Sequence, residues 1–363
     1  MNLKQIRLKH FRNYSDITVE FHSGINYLLG KNAQGKTNLL ESIFYLSTTK
    51  THRGSDDMDL IQTGYDYFGI DALLEKKGRM IEMRSHVNKN GKNLYLYRNP
   101  IKKVSDFIGE CNAVLFCPDD MGLFGAQPRY RRRFVDLELG KLSKSYMSKL
   151  NEYYRLLKER NAALKSGSIP HEYFITLNEK MADLQCVILK QRVKFMDDLI
   201  QVSSEFYKNL ANDESELKVD YHSSININQD VGEMRTDLLK KYDDTFEKDK
   251  MFKSTSIGIH KDDFVILMNG KDTSDYASQG QKRTVLLSLK IGIVLMIHKI
   301  IKDYPILLLD DVFSELDSVR RGKLLELLPN EVQIFISATD LVEDIQDRKV
   351  HLFMIENGQI KNL

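Results

Sequence analysis

Apolar residues recur at short, near-alternating spacing over the first twenty positions: Leu3, Ile6 and Leu8, then Ile17, Val19 and Phe21. This pattern predicts two β-strands joined across the turn-like Arg12-Asn13-Tyr14-Ser15. A continuous apolar run, Ile25 to Leu29, predicts a third strand, which leads straight into GKNAQGKT at 30–37. Leu39, Leu40, Ile43 and Phe44 then fall on one face of a predicted helix over 36–46. Short strands are expected at 68–74, 80–87, 94–98 and 113–116, punctuated by Gly78 and by Asn90-Gly91, a strong hairpin signal. The first third thus reads as antiparallel strands around a glycine-rich loop.

From 142 to about 210 the apolar spacing changes to threes and fours (Leu150, Tyr153, Tyr154, Leu157; then Leu184, Val187, Ile188, Phe195). This predicts a helical hairpin broken at Gly167-Ser168-Ile169-Pro170. Residues 212–253 are charged and irregular, with one expected strand at 217–222. The β pattern returns near Ser256. A helix over 278–301, a strand over 306–309, a helix over 318–328 and a strand over 333–337 then predict a parallel α/β core. The expected organisation is a mixed-sheet lobe made of 1–134 and 256–363, and a mainly helical insertion, 135–255.

Composition narrows the function. Of 363 residues 42% are hydrophobic, enough for a sizeable core. Lys plus Arg number 53 against 51 acids, a net charge of +2, so any nucleic-acid contact must come from local patches. Cys111, Cys117 and Cys186 form no Cys-x-x-Cys pair and read as small buried hydrophobes rather than a disulfide framework or zinc site. MNLKQIRLKHF carries no apolar leader, and Ser288, Lys290, His298 and Lys299 interrupt the longest apolar stretch, Val285 to Ile301. No membrane span is expected, and a reducing cytoplasm fits.

Three motifs carry chemistry. GKNAQGKT fits G-x-x-x-x-G-K-[ST] in the right setting, between strand and helix. Gly30 and Gly35 allow backbone angles that turn successive N–H groups of Lys31, Asn32, Ala33 and Gln34 toward a polyphosphate. The helix N-terminus adds its dipole, Lys36 would lie against the β- and γ-phosphates, and Thr37 would ligate Mg²⁺. YPILLLDD at 304–311 is an apolar strand ending in two acids at the carboxyl edge of the sheet. Asp310 would hold Mg²⁺ and Asp311 would polarise the attacking water. Ser278-Gln279-Gly280-Gln281 opens a long apolar helix, with Ser278 and Gln281 spaced for a capping box. Its place, about two dozen residues before the LLLDD strand, resembles the layout of ABC ATPases, which implies a signature helix whose N-terminus and serine hydroxyl cover the γ-phosphate held by a partner copy. Ser314-Glu315-Leu316-Asp317 fits the D-loop of the same layout, with Ser314 and Asp317 at a dimer interface.

LKHFRNY, LLGKNAQGKTNLLESI, LFCPDD, GAQPRYRRRFVD, IHKDD, YASQGQKRT and YPILLLDDVFSELD run through nearly the whole chain in the order found in the RecF family, which the sequence closely resembles. The resemblance implies an ABC-type P-loop ATPase head with a helical second lobe, ATP and Mg²⁺ as cofactors, and ATP-driven homodimerisation on single-stranded, gapped or double-stranded DNA. It also implies slow hydrolysis, action with RecR and RecO to load RecA, replication-fork recovery and SOS induction. The short insertion favours this family over a long coiled-coil SMC protein. Carried over by motif, Arg12 and Asn13 would contact nucleotide. Pro118-Asp119-Asp120 stands at the Q-loop place without its glutamine, Gln62 is an alternative, and Thr339 fills the switch position where transporter cassettes carry His. Candidate DNA contacts are Arg129, Arg131, Arg132, Arg133, Lys144 and Lys149, followed by further cations such as Arg160, Lys190 and Arg192; Arg131 to Arg133 could equally brace the fold. The competing readings are an ABC-type subunit of a non-DNA machine, such as a transporter, and a small-molecule P-loop kinase. The absent switch His and the arginine cluster oppose the first; the SQGQ helix and the SELD segment have no place in the second.

Overall fold

The computed structural model describes residues 1–53, 56–340 and 349–363. The chain divides into two units, one of Met1–Met121, Val202–Glu214 and Arg283–Leu363, the other of Gly122–Gln201 and Ser215–Lys282. The N-terminal part of the first unit forms β1 (Asn2–Phe11), β2 (Tyr14–Glu20), β3 (Ile25–Leu29), α1 (Lys36–Thr48), β4 (Tyr67–Lys76), β5 (Arg79–Asn88), β6 (Gly91–Leu96), the two-residue β7 (Asn99–Pro100), α2 (Val104–Phe107) and β8 (Ala113–Phe116). The second unit holds α3 (Pro128–Leu142), α4 (Lys144–Ser166), most of α5 (His171–Ala211), β9 (Leu217–His222), α6 (Val231–Asp244), α7 (Phe246–Phe252), β10 (Asp263–Met268), β11 (Lys271–Asp272) and α8 (Thr273–Tyr276). α9 (Gln279–Ile301) then returns the chain to the first unit for β12 (Ile306–Asp310), α10 (Ser318–Leu327), β13 (Ile334–Ala338), β14 (Val350–Glu356) and β15 (Gln359–Asn362).

Two six-stranded sheets build the first unit. One is antiparallel, in the order β2-β1-β4-β5-β6-β7, and its strands alternate a buried and a solvated face. The other, β15-β14-β3-β13-β12-β8, is parallel except for its β15 edge. β3, β8, β12 and β13 are buried at every position, as strands covered on both faces must be. Thus β3 and β8 leave the antiparallel arrangement expected of the first third and join the parallel core. Gln333, fully buried, ties the sheets together: its amide oxygen accepts from Leu3 N–H at 2.7 Å, and its amide nitrogen donates to the carbonyls of Leu3 and His22. α9 is long and apolar enough to cross a membrane, yet every side chain from Thr284 to Val294 is buried in protein.

In the second unit the helical hairpin breaks where expected, with Gly167 capping α4 in the left-handed conformation. The stretch expected to be irregular holds two helices, the first opened by a reciprocal capping box between Asp230 and Glu233. The unit boundaries differ from the expected 134 and 256. β9 pairs antiparallel with β10, Asp263 opposite His222, which draws the chain around 256–282 into the second unit. Arg131 forms a two-pronged ion pair with Asp263 (2.6 and 2.7 Å), which draws in α3. The signature helix start at Ser278 therefore belongs to the second unit, and residues 202–214 to the first.

Candidate nucleotide site

The glycine-rich loop leaves β3 at the carboxyl edge of the parallel sheet and enters α1. Ala33 (φ 65°) and Gly35 (φ 121°) take left-handed backbone angles. A Cβ at Gly35 would meet Asn13 Nδ2 at 2.7 Å and the Tyr14 hydroxyl at 2.8 Å, so glycine is required there twice over. Lys31, Asn32 and Ala33 arch into solvent, whereas Lys36 is buried. Its ammonium folds back onto the loop, donating to the carbonyls of Gly30 and of Lys31, the latter at 2.9 Å. Burial lowers the Lys36 pKa, and Asp311 and Asp310 counter that shift.

Two turns grip this loop. From the β1–β2 turn, Asn13 Nδ2 donates to the Gln34 carbonyl (2.9 Å), the Tyr14 hydroxyl donates to the Gly35 carbonyl (2.9 Å), and Asn38 donates to Asn13 Oδ1 (2.9 Å). From the β14–β15 turn, Asn357 N–H donates to Gln34 Oε1 (2.7 Å) and Gly358 N–H to the Gln34 carbonyl (3.2 Å). Asn357 and Gly358 both have positive φ, as a two-residue hairpin turn demands. This second turn is absent from the sequence expectations, although its Asn-Gly pair is the signal that finds it.

The two acids at the end of β12 lie beside the loop. Asp310, 5% exposed, accepts at Oδ1 from Thr37 Oγ1 (3.0 Å) and from Ser337 Oγ (2.7 Å). Burial raises its pKa; the Ser337 and Thr37 hydrogen bonds, with His52 and Arg53 nearby, work against that rise. Thr37 and Asp310 thus present hard oxygen donors around a carboxylate for which burial without a cation is costly, the donor set Mg²⁺ takes. Ser337 also accepts from Asp311 N–H at 2.9 Å, so one hydroxyl links both acids. Asp311 itself is exposed, with φ 56°.

Several sequence expectations change here. Thr339 donates to neighbouring Asp340 (2.9 Å), and the residue on the carboxylate is Ser337, one strand pleat earlier. The Pro118-Asp119-Asp120 segment braces the core: Asp120 accepts from Lys290 Nζ and from Cys117 N–H, both at 3.0 Å. Gln62 Nε2 donates to Ser15 Oγ on the β1–β2 hairpin (3.0 Å). Arg12, expected on nucleotide, has its guanidinium engaged within the chain, on buried Glu41 (2.9 and 3.2 Å) and on the Asp59 carbonyl (2.9 Å). Burial pushes the Glu41 pKa up, but the Arg12 and Thr51 bonds leave it net lowered.

The signature helix starts as read: Gln281 N–H donates to Ser278 Oγ (3.2 Å) and Ser278 N–H to Gln281 Oε1 (2.9 Å). Ser278, Gln279 and Gly280 are exposed, and a Cβ on Gly280 would have nothing within 4 Å. Ser314 donates to the Asp311 carbonyl (2.7 Å), and Asp317 caps α10 by accepting from Arg320 N–H (2.8 Å).

The arginine cluster is largely structural. Arg131, 7% exposed, holds Asp263 and the Leu123 and Gly125 carbonyls; Arg132 donates to the Asp262 carbonyl (2.7 Å); and Arg133 is half-buried with contacts of its own. Arg160 is fully buried against Asp249, Asn178 and Thr255, and Arg192 is buried against Asp136. Lys190 is tied to the carbonyls of Ile227 and Gln229. Arg129 and Lys144 are exposed, and Lys149 is half-buried. IHKDD gains a role: Asp262 accepts from Tyr221 and Ser223 (both 3.1 Å), and His260 Nδ1 meets the Tyr153 hydroxyl (2.7 Å).

A parallel α/β sheet carrying a phosphate loop and a carboxylate-ended strand, joined to an antiparallel sheet, defines an ABC-type P-loop ATPase head. A profile described as RecF/RecN/SMC N terminal domain matches residues 2–361. The chain is 38% identical to DNA replication and repair protein RecF of Streptococcus gordonii, over 99% of this chain and 100% of that one. It superposes with a TM-score of 0.93, at 31% identity over 99% and 97% of the two chains, on the recombination mediator protein RecF with ATP, solved in the RecFOR pathway. An SMC head domain from Pyrococcus furiosus shares the fold alone, at TM-score 0.55 and 16% identity over 99% of this chain and 95% of that one. The chain belongs to the RecF family.

Proposed function

We propose that this chain is an ATP-dependent DNA-binding protein of recombinational repair and replication-fork recovery, acting in the cytoplasm. ATP held by loop 30–37 of one copy is covered by Ser278–Gln281 of a second, and the resulting dimer binds single-stranded, gapped or double-stranded DNA. The loop amides and Lys36 hold the phosphates, with Asn13 positioning the loop and Arg12 bracing α1 through Glu41. Thr37 and Asp310 would hold Mg²⁺, which supplies charge neutralisation at the β- and γ-phosphates. Asp311 accepts the proton of the attacking water; it is one methylene shorter than glutamate, and hydrolysis is slow. RecR and RecO are the expected partners, with RecA loading and SOS support downstream.

The observation that carries the split site is Gly280. Glycine in the first turn of a helix costs up to about 1 kcal/mol against alanine. Nothing in its own chain crowds the place of its Cβ. The freed space, beside an exposed serine at a helix N-terminus, suits an anion brought from outside.

Sizing the protein with ATP and Mg²⁺, wild type against Asp311→Asn, tests the reading. Asparagine tolerates the left-handed backbone at 311, so the variant keeps its fold and loses only the base. It should accumulate as dimer with trapped ATP. If both proteins stay monomeric at micromolar concentration, the mechanism is wrong.

A further inference from the structure

Tyr276 stands two residues before Ser278 and is 71% exposed, more than any other tyrosine among the described residues. The backbone beneath it is pinned. Asp272 accepts from Ser274 N–H (2.7 Å), and Ala277 N–H donates to the Thr273 carbonyl (3.2 Å). Thr273, 1% exposed, donates to the Ile266 carbonyl (2.8 Å), and Lys282 donates to the Ser274 carbonyl (2.7 Å). The ring stands in water, with the Lys271 ammonium over it, 5.2 Å from its centroid. With the cation over one face, the opposite face of the ring is left for a nucleobase, and the ammonium suits the ribose-phosphate beside it. The two residues from Tyr276 to Ser278 span at most about 7 Å, so the ring stays within the length of one nucleoside triphosphate of the signature serine.

We propose that Tyr276 stacks on the base of the nucleoside triphosphate held by the partner copy, so that base recognition in the dimer is shared between subunits. This rests on the reading that Ser278 meets the partner's γ-phosphate. The test uses the full chain with Mg²⁺ and either ATP or 2-aminopurine riboside triphosphate, whose fluorescence is quenched by stacking. Tyr276→Ala should weaken nucleotide-driven dimerisation roughly ten-fold, the loss of one base–aromatic stack, and abolish the extra quenching that accompanies dimerisation. Tyr276→Phe should keep both. Normal dimerisation of Tyr276→Ala overturns the proposal. So does undiminished quenching in whatever dimer it forms at high concentration, which would make Tyr276 a protein–protein anchor. A drop in the affinity of a lone protomer for nucleotide would place the ring on its own chain's ligand and also sink the idea. Ser278→Arg separates the underlying reading: if that variant dimerises like wild type, the split site itself is wrong, whatever Tyr276 does.

Discussion

Ser337 is the smallest group on which the carboxylate pair depends. Its hydroxyl donates to Asp310 and accepts from Asp311 N–H, fixing the direction of both acids. Removing a partner from a buried carboxylate costs about 1–3 kcal/mol. Ser337→Ala should therefore lower steady-state ATP turnover about ten-fold or more, whereas Thr339→Ala, whose hydroxyl donates to Asp340 rather than to Asp310, should stay within about two-fold. A phosphate-release assay on the two variants decides between them. In the sequence both hydroxyls stand in one short run, ISAT, and spacing alone does not say which faces the acid. Strand register does: Ser337 pairs with Asp310 across β12 and β13.

At the scale of elements, the start of α3 and the turn into β10 form one buried charge lattice. Arg131→Ala removes both guanidinium bonds from part-buried Asp263 and should cost about 1.5–3 kcal/mol of stability, read as a fall in the urea midpoint. Arg129→Ala together with Lys144→Ala, both exposed, should leave that midpoint unchanged. The double variant should show a shallower salt dependence of DNA binding, by about one unit of log–log slope for every phosphate it no longer neutralises. An unchanged slope would remove these two residues from the DNA surface. The basic run PRYRRR looks like a binding patch because sequence shows charges and not partners. Its acidic partner, Asp263, lies some 130 residues away, in a motif whose role is itself unreadable from spacing. By contrast the phosphate loop, the LLLDD strand and the Ser278 cap were legible, because each is specified within a dozen neighbouring residues.

For the whole molecule, two buried groups oppose one another in acid. Burial holds the His260 pKa down at about 4, below its ordinary 6.5. The unfolded chain takes up that proton first, so stability is lost as pH falls from 6.5 to about 4. Burial pushes Asp262 up to about 6 from 3.8. Here the folded chain takes up the proton first, so stability is gained as pH falls from about 6 to 3.8. The two contributions nearly cancel over the same window, and the melting temperature of the wild type should vary little there on their account. Asp262→Asn removes the gain and leaves the loss, so its melting temperature should fall more steeply between pH 6.5 and 4. A profile parallel to wild type would show that the groups do not titrate as their burial dictates.

The sequence by itself determined the local chemistry: which loop cradles phosphate, which strand ends in acids, which serine caps a helix, and where the long hairpin breaks. Each depends on backbone angles and periodicities that a few adjacent residues set. Tertiary structure alone decided which hydroxyl faces Asp310, which turns hold Gln34, which arginines are spent on internal acids, and where one unit gives way to the other. Those outcomes depend on pairings between segments tens to hundreds of residues apart, whose energies are settled only when the strands take their register and the charges lose their water.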